Sequence, residues 1–421
     1  MKRGEAMIVV YRRTGVILLL IAMFAIGFLG AFVYQRSRVK IGEHYIRINP
    51  TAKINPEKQY RLRLWDYRLP LDSGDGYTRY LRKAVRDFQQ KFPNIRVEIK
   101  FLDLLNGEKE LRQALVRNEA PDVYASFYSV PDFYYLRQIP VGPFLTKEEK
   151  ERFHQRAAAL YSVDGVLCSF PRWTSVNVWV GNRKWLENAD LNIEKLQRYG
   201  WDWNDLQKLG TRLPKGVYAL AGYPINDGFL QTLRESGKRT PEVKALLELV
   251  AGMAKGGKIP AKLEHQPIAG FLEGKVACLA GIRPLTYRKI MQNMAGGQYG
   301  VQPVVLPVPR LPGFEEIQVV DGGAIHVYRN KYTRGDDHVA AAMALGYFLS
   351  TYQDMTPWNA LGVLPGRRDE TAVVDELQMV IDAALSRSRL LKRQENEGFE
   401  LIKDLFEGKA SMETVIEGMN L

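Results

Sequence analysis

The stretch from Tyr60 to Tyr128 alternates between strand and helix periodicity, which limits the folds open to the chain. Arg61 to Trp65 has the character of a short strand, and residues 77–92 carry apolar side chains at helical spacing. Ile95 to Phe101 then alternates apolar and charged residues, as a strand with one buried face does. A second helical stretch and a third strand follow. The order β-α-β-α-β is typical of a parallel sheet with right-handed crossovers, so the predicted fold class is α/β.

The ends of the first and third predicted strands are the first place to look for a binding site. Ligands of parallel sheets lie beyond the carboxyl ends of the strands. Trp65, Asp66 and Tyr67 end the first strand, and Tyr128 follows the third. We therefore expect these four residues at one edge of the sheet.

Length and charge narrow the class of protein. A chain of 421 residues is too long for one small core and predicts two lobes with extensions. The net charge of +12 comes from scattered basic residues, and no nucleic-acid-binding motif accompanies it, so we expect no nucleic-acid partner. A solvated basic surface is the simplest explanation of the charge. Attraction to an anionic membrane or cell wall is the alternative.

The amino-terminal segment predicts a membrane anchor. The run from Val16 to Tyr34 is unbroken and apolar, long enough at about 1.5 Å per residue to cross most of a hydrocarbon core of about 30 Å. We expect an uncleaved single-pass helix at 16–34, a short cytoplasmic tail at 1–15 and the remaining chain outside the cell. A core helix is the alternative. The polar segment 35–59 contains prolines and suits a stalk or linker.

The middle of the chain contains two candidate crossings between lobes. Val166 to Trp173 reads as a strand interrupted by Pro171, and Val319 to Tyr328 as the return strand. The predicted first lobe comprises 60–172 and 319–357, and the predicted second lobe comprises 173–318 and 358–421.

Cysteine, histidine and catalytic motifs give no sign of a cofactor. Cys168 and Cys278 are the only cysteines and lie in apolar runs, which favours two buried thiols over a disulfide. The histidines are isolated in sequence, and no metal, phosphate-loop or nucleophile motif occurs, so we expect neither a metal nor another cofactor. A glycosidase needs only two facing carboxylates, and that alternative stays open.

Several short motifs, in order, carry a resemblance to a known family. They are Phe-Gln-Gln-Lys-Phe-Pro-Asn-Ile-Arg-Val at 88–97, Ala-Pro-Asp-Val at 120–123, Phe-Leu-Glu-Gly-Lys-Val-Ala at 271–277 and Leu-Phe-Glu-Gly-Lys-Ala-Ser at 405–411. From about Tyr60 to the carboxyl end the chain resembles the bacterial extracellular solute-binding proteins of ABC transporters, in the sugar-type group that includes maltose-binding protein.

The resemblance implies a periplasmic-binding-protein-like (type II) fold, with two hinged α/β lobes closing on a sugar. It also implies a non-enzymatic protein that delivers a mono- or oligosaccharide to ABC permease subunits, or less often to a sensor. Maltose-type members usually have a cleaved signal or a lipid-modified cysteine, and this chain shows neither pattern. Two alternatives remain: an anchored extracellular glycoside-active enzyme, and a ligand-sensing or cell-envelope accessory protein.

Sugar sites combine aromatic platforms with charged and amide groups, which selects the candidate ligand-binding residues. They are Trp65, Asp66, Tyr67, Tyr128, Trp173, Arg283, Asp321 and Trp358. Asp66, Trp173 and Arg283 are the leading ones, whereas Trp65 and Tyr128 fit a core position equally well. Asp321 precedes Gly322-Gly323, which would also fit a hinge that uses the wide φ/ψ range of glycine.

Two arginines do not fit this scheme. Arg61 and Arg63 lie on the presumed central strand, where a sheet covered on both faces has no place for charge. We expect that strand to be partly exposed, with the arginine stems reaching toward solvent.

Overall fold

A computed structural model describes residues 23–24, 38–69, 76–127, 134, 137–222, 224, 229–236, 241–262, 266–295, 299–367, 375–392 and 398–419. The strands are β1 (Arg38–Ile41), β2 (His44–Arg47), β3 (Tyr60–Tyr67), β4 (Ile95–Leu102), β5 (Val123–Ala125), β6 (Gln138–Ile139), β7 (Ser162–Val163), β8 (Val166–Leu167), β9 (Phe170–Val176), β10 (Val178–Asn182), β11 (Tyr218–Gly222), β12 (Val276–Ile282), β13 (Pro303–Leu306), β14 (Ile317–Tyr328), β15 (Leu364–Pro365) and β16 (Arg389–Lys392).

The helices are α1 (Gly76–Lys91), α2 (Gly107–Val116), α3 (Lys147–Glu151), α4 (Gln155–Leu160), α5 (Arg183–Asn188), α6 (Ile193–Tyr199), α7 (Trp203–Arg212), α8 (Phe229–Ser236), α9 (Pro241–Lys255), α10 (Pro267–Leu272), α11 (Pro284–Met294), α12 (Asp336–Ser350), α13 (Thr356–Leu361), α14 (Glu376–Arg387), α15 (Phe399–Phe406) and α16 (Met412–Gly418). A 3₁₀ turn covers Gly142–Phe144.

The larger sheet contains the predicted β-α-β-α-β unit. Within the described residues it has eight strands, in the order β15-β9-β14-β5-β3-β4, with β6 and β16 also paired to β14. Strand β3 is parallel to both β4 and β5, as predicted, and β14 is antiparallel to β5 and β9. Helix α1 buries the face that carries Tyr77, Leu81, Val85 and Phe88. Its apolar residues recur at helical spacing, so they form one stripe against the sheet.

The smaller sheet has the order β11-β12-β10-β13. Strand β9 belongs to the large sheet and β10 to the small one, and only the buried Asn177 lies between them. The helical side of the small sheet is packed with aromatic rings: Trp179 lies edge-on to Trp201 and Trp203, with ring centroids 5.5 and 5.9 Å away. These rings form a second hydrophobic core.

The range 358–421 is divided between the two cores. Strand β15 pairs with β9, and β16 pairs in parallel with β14, so both belong to the large sheet. Helices α15 and α16 instead pack in the second core, where Ile402, Phe406 and Val415 are fully buried. The predicted assignment of the whole range to the second lobe is therefore wrong for β15 and β16, because a loop-like, proline-containing sequence does not show which sheet it joins.

The segment predicted as a stalk is folded against the body from Arg38 onward. Strands β1 and β2 form a hairpin in which Ile41, fully buried, packs with Cys168. The amide of Gly42 donates to Asp164 Oδ2 at 2.6 Å, which joins this hairpin to the β7–β8 hairpin. Residues 38–59 are thus part of the folded domain rather than a free linker.

The predicted anchor at 16–34 lies, apart from Met23 and Phe24, outside the described residues. Among the residues that are described, no helix is both long and apolar enough to cross a bilayer. Cys168 and Cys278 are buried thiols that are not joined in a disulfide, as predicted.

Asp122 is a buried polar junction at the start of β5. Its Oδ2 accepts from the Arg63 amide at 2.7 Å, and its Oδ1 accepts from Asn330 Nδ2 at 2.7 Å and lies 3.2 Å from His338 Nε2. Burial alone would raise the pKa of Asp122, but these hydrogen bonds outweigh it and hold the pKa below its ordinary value. The carboxylate therefore joins β3, the segment after β14 and helix α12.

We expect the Asp122 junction to make stability dependent on pH. Because its folded-state pKa is depressed, its contribution is complete above the unfolded-state pKa and is lost as pH falls through the folded-state pKa. Asp122→Asn should lower the free energy of unfolding by about 2 kcal/mol at about pH 7, and by less below about pH 3. Urea titrations at several pH values measure this difference. A difference independent of pH would contradict the assignment. Glu248→Gln, at an exposed carboxylate on α9, is the control.

Candidate functional site

Trp173 lies where the strands of the large sheet approach the small sheet. It is directly opposite Gly323 in the β9–β14 pair and is 5% exposed. Its ring packs against Phe127, which follows β5, with centroids 5.5 Å apart. The indole Nε1 has no hydrogen-bond partner among the described residues. A buried donor without a partner is costly, so this group is suited to a ligand acceptor.

Gly322 and Gly323 serve close packing rather than unusual backbone angles. Neither has a positive φ. A Cβ added to Gly323 would lie 2.1 Å from Trp173 Nε1, and one added to Gly322 would lie 2.1 Å from the hydroxyl of Tyr161. That hydroxyl donates to the Gly323 carbonyl at 3.3 Å. The unusual φ/ψ angles that the alternative hinge reading allowed for are therefore not used here, and both residues are small because two aromatic side chains cross the strand.

Asp321 and Arg283 connect the two sheets. Asp321, 7% exposed, lies on β14 opposite Ser175 of β9. Arg283 follows β12 of the small sheet and precedes α11, and its Nε lies 4.0 Å from Asp321 Oδ2. The Arg283 side chain is 46% exposed, so it can also reach a ligand. Directly opposite residues of an antiparallel pair share a face, which places Asp321 and Trp173 on the same face of the sheet.

Asp66, a leading candidate from the sequence, has its carboxylate fully occupied. It is 1% exposed and accepts from Arg172 Nη1 at 3.2 Å and Nη2 at 2.9 Å. Tyr77 donates its hydroxyl to Oδ2 at 2.7 Å, and the amide of Tyr67 donates to Oδ1 at 2.7 Å. A carboxylate with these partners connects β3, α1 and β9 within the fold.

Arg172 is the residue that sequence reasoning missed. It is 4% exposed, and its Cζ lies 5.6 Å from the ring centroid of Tyr77 and 5.1 Å from that of Trp358. Burial alone would lower its pKa, but the neighbouring Asp66 and Tyr77 outweigh this, and the pKa of Arg172 is raised. The position of Arg172 inside the apolar run Phe170-Pro-Arg-Trp indicates a buried ion pair, because a buried guanidinium requires a carboxylate partner.

The other predicted residues separate onto the two faces of the large sheet. Trp358 is 3% exposed and lies under Arg172, on the α1 side together with Asp66. Tyr67, on the opposite face, shares a 2.9 Å hydrogen bond with the hydroxyl of Tyr124. Trp65 is half-buried beneath Lys100, whose Nζ lies 4.3 Å from the ring centroid. Adjacent strand residues point to opposite faces, so the predicted set cannot line one pocket.

Of the predicted set, the structure brings together Trp173, Asp321 and Arg283, which we call the junction cluster. Tyr128 lies outside the described residues. No group of three or more metal-ligating side chains occurs among the residues described.

Comparisons with known proteins identify the fold. No protein-family model matches the sequence, and no curated protein sequence matches it. Several solved structures match the fold of this chain. A cyclic α-maltosyl-1,6-maltose binding protein from Arthrobacter globiformis has a TM-score of 0.64 at 14% identity, over 86% of this chain and 97% of that one. The GacH receptor of Streptomyces glaucescens, solved unliganded and with acarbose, has a TM-score of 0.60 at 16% identity, over 86% and 96%.

An ABC substrate-binding protein from Listeria monocytogenes, in complex with cycloalternan, has a TM-score of 0.56 at 13% identity, over 86% of this chain and 98% of that one. These likenesses show that the chain has the α/β, periplasmic-binding-protein-like fold of extracellular solute-binding proteins, as predicted. At this level of identity they define the fold and not the ligand.

If Asp66 and Arg172 act as a buried structural pair, their substitutions should be strongly coupled. Arg172→Met leaves an uncompensated buried carboxylate and should cost about 3–5 kcal/mol of unfolding free energy. Asp66→Asn in the same chain removes that charge, so the double variant should cost at least about 1 kcal/mol less than the sum of the single variants. Denaturant titrations of all four proteins measure the coupling. Additivity within about 0.5 kcal/mol would contradict the pair.

Proposed function

We propose that this protein binds a carbohydrate between its two sheets and delivers it to the permease of an ABC transporter. The observation that supports this proposal is the junction cluster, in which an aromatic ring whose N–H has no partner within the described part of the chain lies beside a carboxylate and a guanidinium. It lies at the meeting point of the two sheets, in a fold shared with proteins described as binding acarbose, cycloalternan and a cyclic maltosaccharide.

Each member of the cluster has a distinct role in this proposal. The Trp173 ring offers an apolar face to sugar C–H groups, and its Nε1 donates to a sugar oxygen. Asp321 accepts from sugar hydroxyls, and Arg283 donates to them as a charged group. Arg283 comes from the small sheet and the other two from the large sheet, so a ligand that touches all three joins both halves.

The proposed mechanism is closure of two lobes about the crossings between the sheets. One crossing is at Asn177, and another is the segment 307–316 between β13 and β14. We place the first lobe around the large sheet and the second around the small sheet. A ligand shifts such an equilibrium only through its higher affinity for the closed state, and contacts with both lobes supply that difference.

The proposal extends to location. An anchor at 16–34 would hold the folded domain on the extracellular face of the membrane, close to permease subunits. The apolar run is the support for this part, and residues 38–59 would then connect it directly to the large-sheet lobe. A sensor in place of a permease is the alternative partner.

A binding role is preferred to the glycoside-active alternative for a specific reason. Hydrolysis needs two carboxylates facing the same bond. Of Asp66 and Asp321, the first has both oxygens engaged by Arg172, Tyr77 and its own strand. It is therefore unavailable as an acid, base or nucleophile.

We expect a saccharide to raise the melting temperature of the full-length chain without being consumed. A panel of mono- and oligosaccharides, screened by thermal shift, identifies the ligand. Trp173→Phe and Arg283→Gln should each weaken its binding by about tenfold, because each removes a donor that a ligand would use. Titration calorimetry gives the affinities. Trp65→Phe and Arg117→Gln, distant from the cluster, are matched controls that should bind as the unmodified protein does.

Two outcomes would overturn the proposal. Release of hydrolysed sugar from the incubated mixture would establish an enzyme. Unchanged affinity in both Trp173→Phe and Arg283→Gln would show that the junction cluster is not the site.

A further inference from the structure

A cavity of about 930 Å³ lies at the end of the large sheet farthest from the junction cluster. It opens at the amino-terminal ends of β3 and β4, whereas Asp66 and Tyr67 lie at the other end of β3. Its lining residues are Lys58, Gln59, Tyr60, Arg61, Arg63, Gln89, Arg96, Val97, Glu98, Tyr332, Arg334 and His338. It includes Arg61 and Arg63, which lie on a partly exposed strand, as predicted.

The lining is strongly basic, with five lysine or arginine side chains and one carboxylate. Lys58 Nζ forms an ion pair with Asp337 Oδ2 at 2.5 Å, and Arg61 forms an ion pair with Glu98. Arg63 is half-buried and donates to the Ala120 carbonyl at 2.7 Å. These three groups are positioned by the fold.

Arg96 and Arg334 differ from these three groups in their exposure and their partners. Both are exposed, and neither guanidinium has a carboxylate partner among the described residues. Arg96 also lies directly opposite Arg61 in the parallel β3–β4 register. Like charges opposite each other on neighbouring strands are destabilising. Because Glu98 is already paired with Arg61, an anion in the cavity would offset the remaining charge of Arg96, and guanidinium groups bind phosphate oxygens in pairs.

Aromatic side chains complete the wall. Arg63 Cζ lies 4.2 Å from the ring centroid of Tyr332, and Tyr60 is held by a 2.8 Å bond from its hydroxyl to Asp337. A solvated basic surface would not need a concavity, whereas a phosphate carrying an organic group fits one that has both guanidinium groups and rings.

The cavity lies near residues 38–49, the segment with which the folded domain begins. Arg38 lies opposite Arg47 in the strand register of the β1–β2 hairpin. Asn49, two residues later, donates to Asp336 at 3.2 Å, and Asp336 is two residues beyond Arg334 of the cavity wall. The apolar run ends at Tyr34, so at most about 14 Å of extended chain separates it from Arg38.

We propose that this cavity binds the phosphate headgroup of an anionic phospholipid in the membrane that holds the chain. This inference rests on the proposed anchor but not on the carbohydrate site. Arg96 and Arg334 contact the phosphate, and the exposed ring of Tyr332 contacts the glycerol portion. Binding fixes the large-sheet lobe against the bilayer surface and leaves the opposite end, with the junction cluster, facing away from it.

The experiment uses the full-length chain in neutral detergent micelles with small amounts of phosphatidylglycerol or phosphatidylcholine, and native mass spectrometry to measure bound lipid. The unmodified chain should retain phosphatidylglycerol in preference to phosphatidylcholine. Arg96→Glu with Arg334→Glu should weaken that binding by at least about tenfold, because two favourable charges become unfavourable. Arg79→Glu with Arg82→Glu, exposed on α1 toward its other end, gives the same net charge and should change binding by less than about twofold.

The outcomes separate cleanly. Equal binding by both double variants, or no preference for phosphatidylglycerol in the unmodified chain, would overturn the proposal. Soluble glycerophosphate binding as tightly as the lipid would also overturn it, because the site would then serve a free anion. The saccharide-induced thermal shift, measured on the same variants, should be unchanged, so failure here is distinguishable from failure of the carbohydrate proposal.

Discussion

The pairing of β14 with its neighbours is the interaction on which the rest of the structure depends. This strand has 12 residues, all buried, and binds β9 along one side, β5 and β6 along part of the other, and β16 at its start. Buried backbone N–H and C=O groups must be hydrogen-bonded. Strand β14 supplies partners for the backbone groups of four strands from different parts of the sequence. It also follows the crossing from the small sheet, so the same strand fixes the position of Asp321 beside Trp173 and Arg283.

Local patterns predicted the architecture because they are properties of consecutive residues. The alternation over Ile95–Phe101 and the helical spacing over 77–92 depend only on which face is buried, and both elements occur in the structure. The site was harder to predict because its partners are distant. The sequence predicts Asp66 as a ligand residue, but its carboxylate is paired with Arg172, which lies 106 positions later. Consecutive candidates were also grouped although strand geometry separates them onto opposite faces.

The segment before Tyr60 could not be predicted for a related reason. Its polar residues and prolines resemble a linker, and a two-stranded hairpin is only marginally stable by itself. The hairpin is stabilised by a second one that begins more than a hundred residues later, through Ile41 against Cys168 and Gly42 against Asp164. No local signal in residues 38–47 shows that this partner exists.

The contact between these two hairpins has a mechanical consequence. The β7–β8 hairpin leads within a few residues into β9, the strand from which the chain passes to the small sheet. The β1–β2 hairpin is thereby coupled to the start of β9 through its contacts with Asp164 and Cys168. In the proposed anchored arrangement, the half built on the large sheet would stay fixed relative to the membrane, and closure would move the half built on the small sheet.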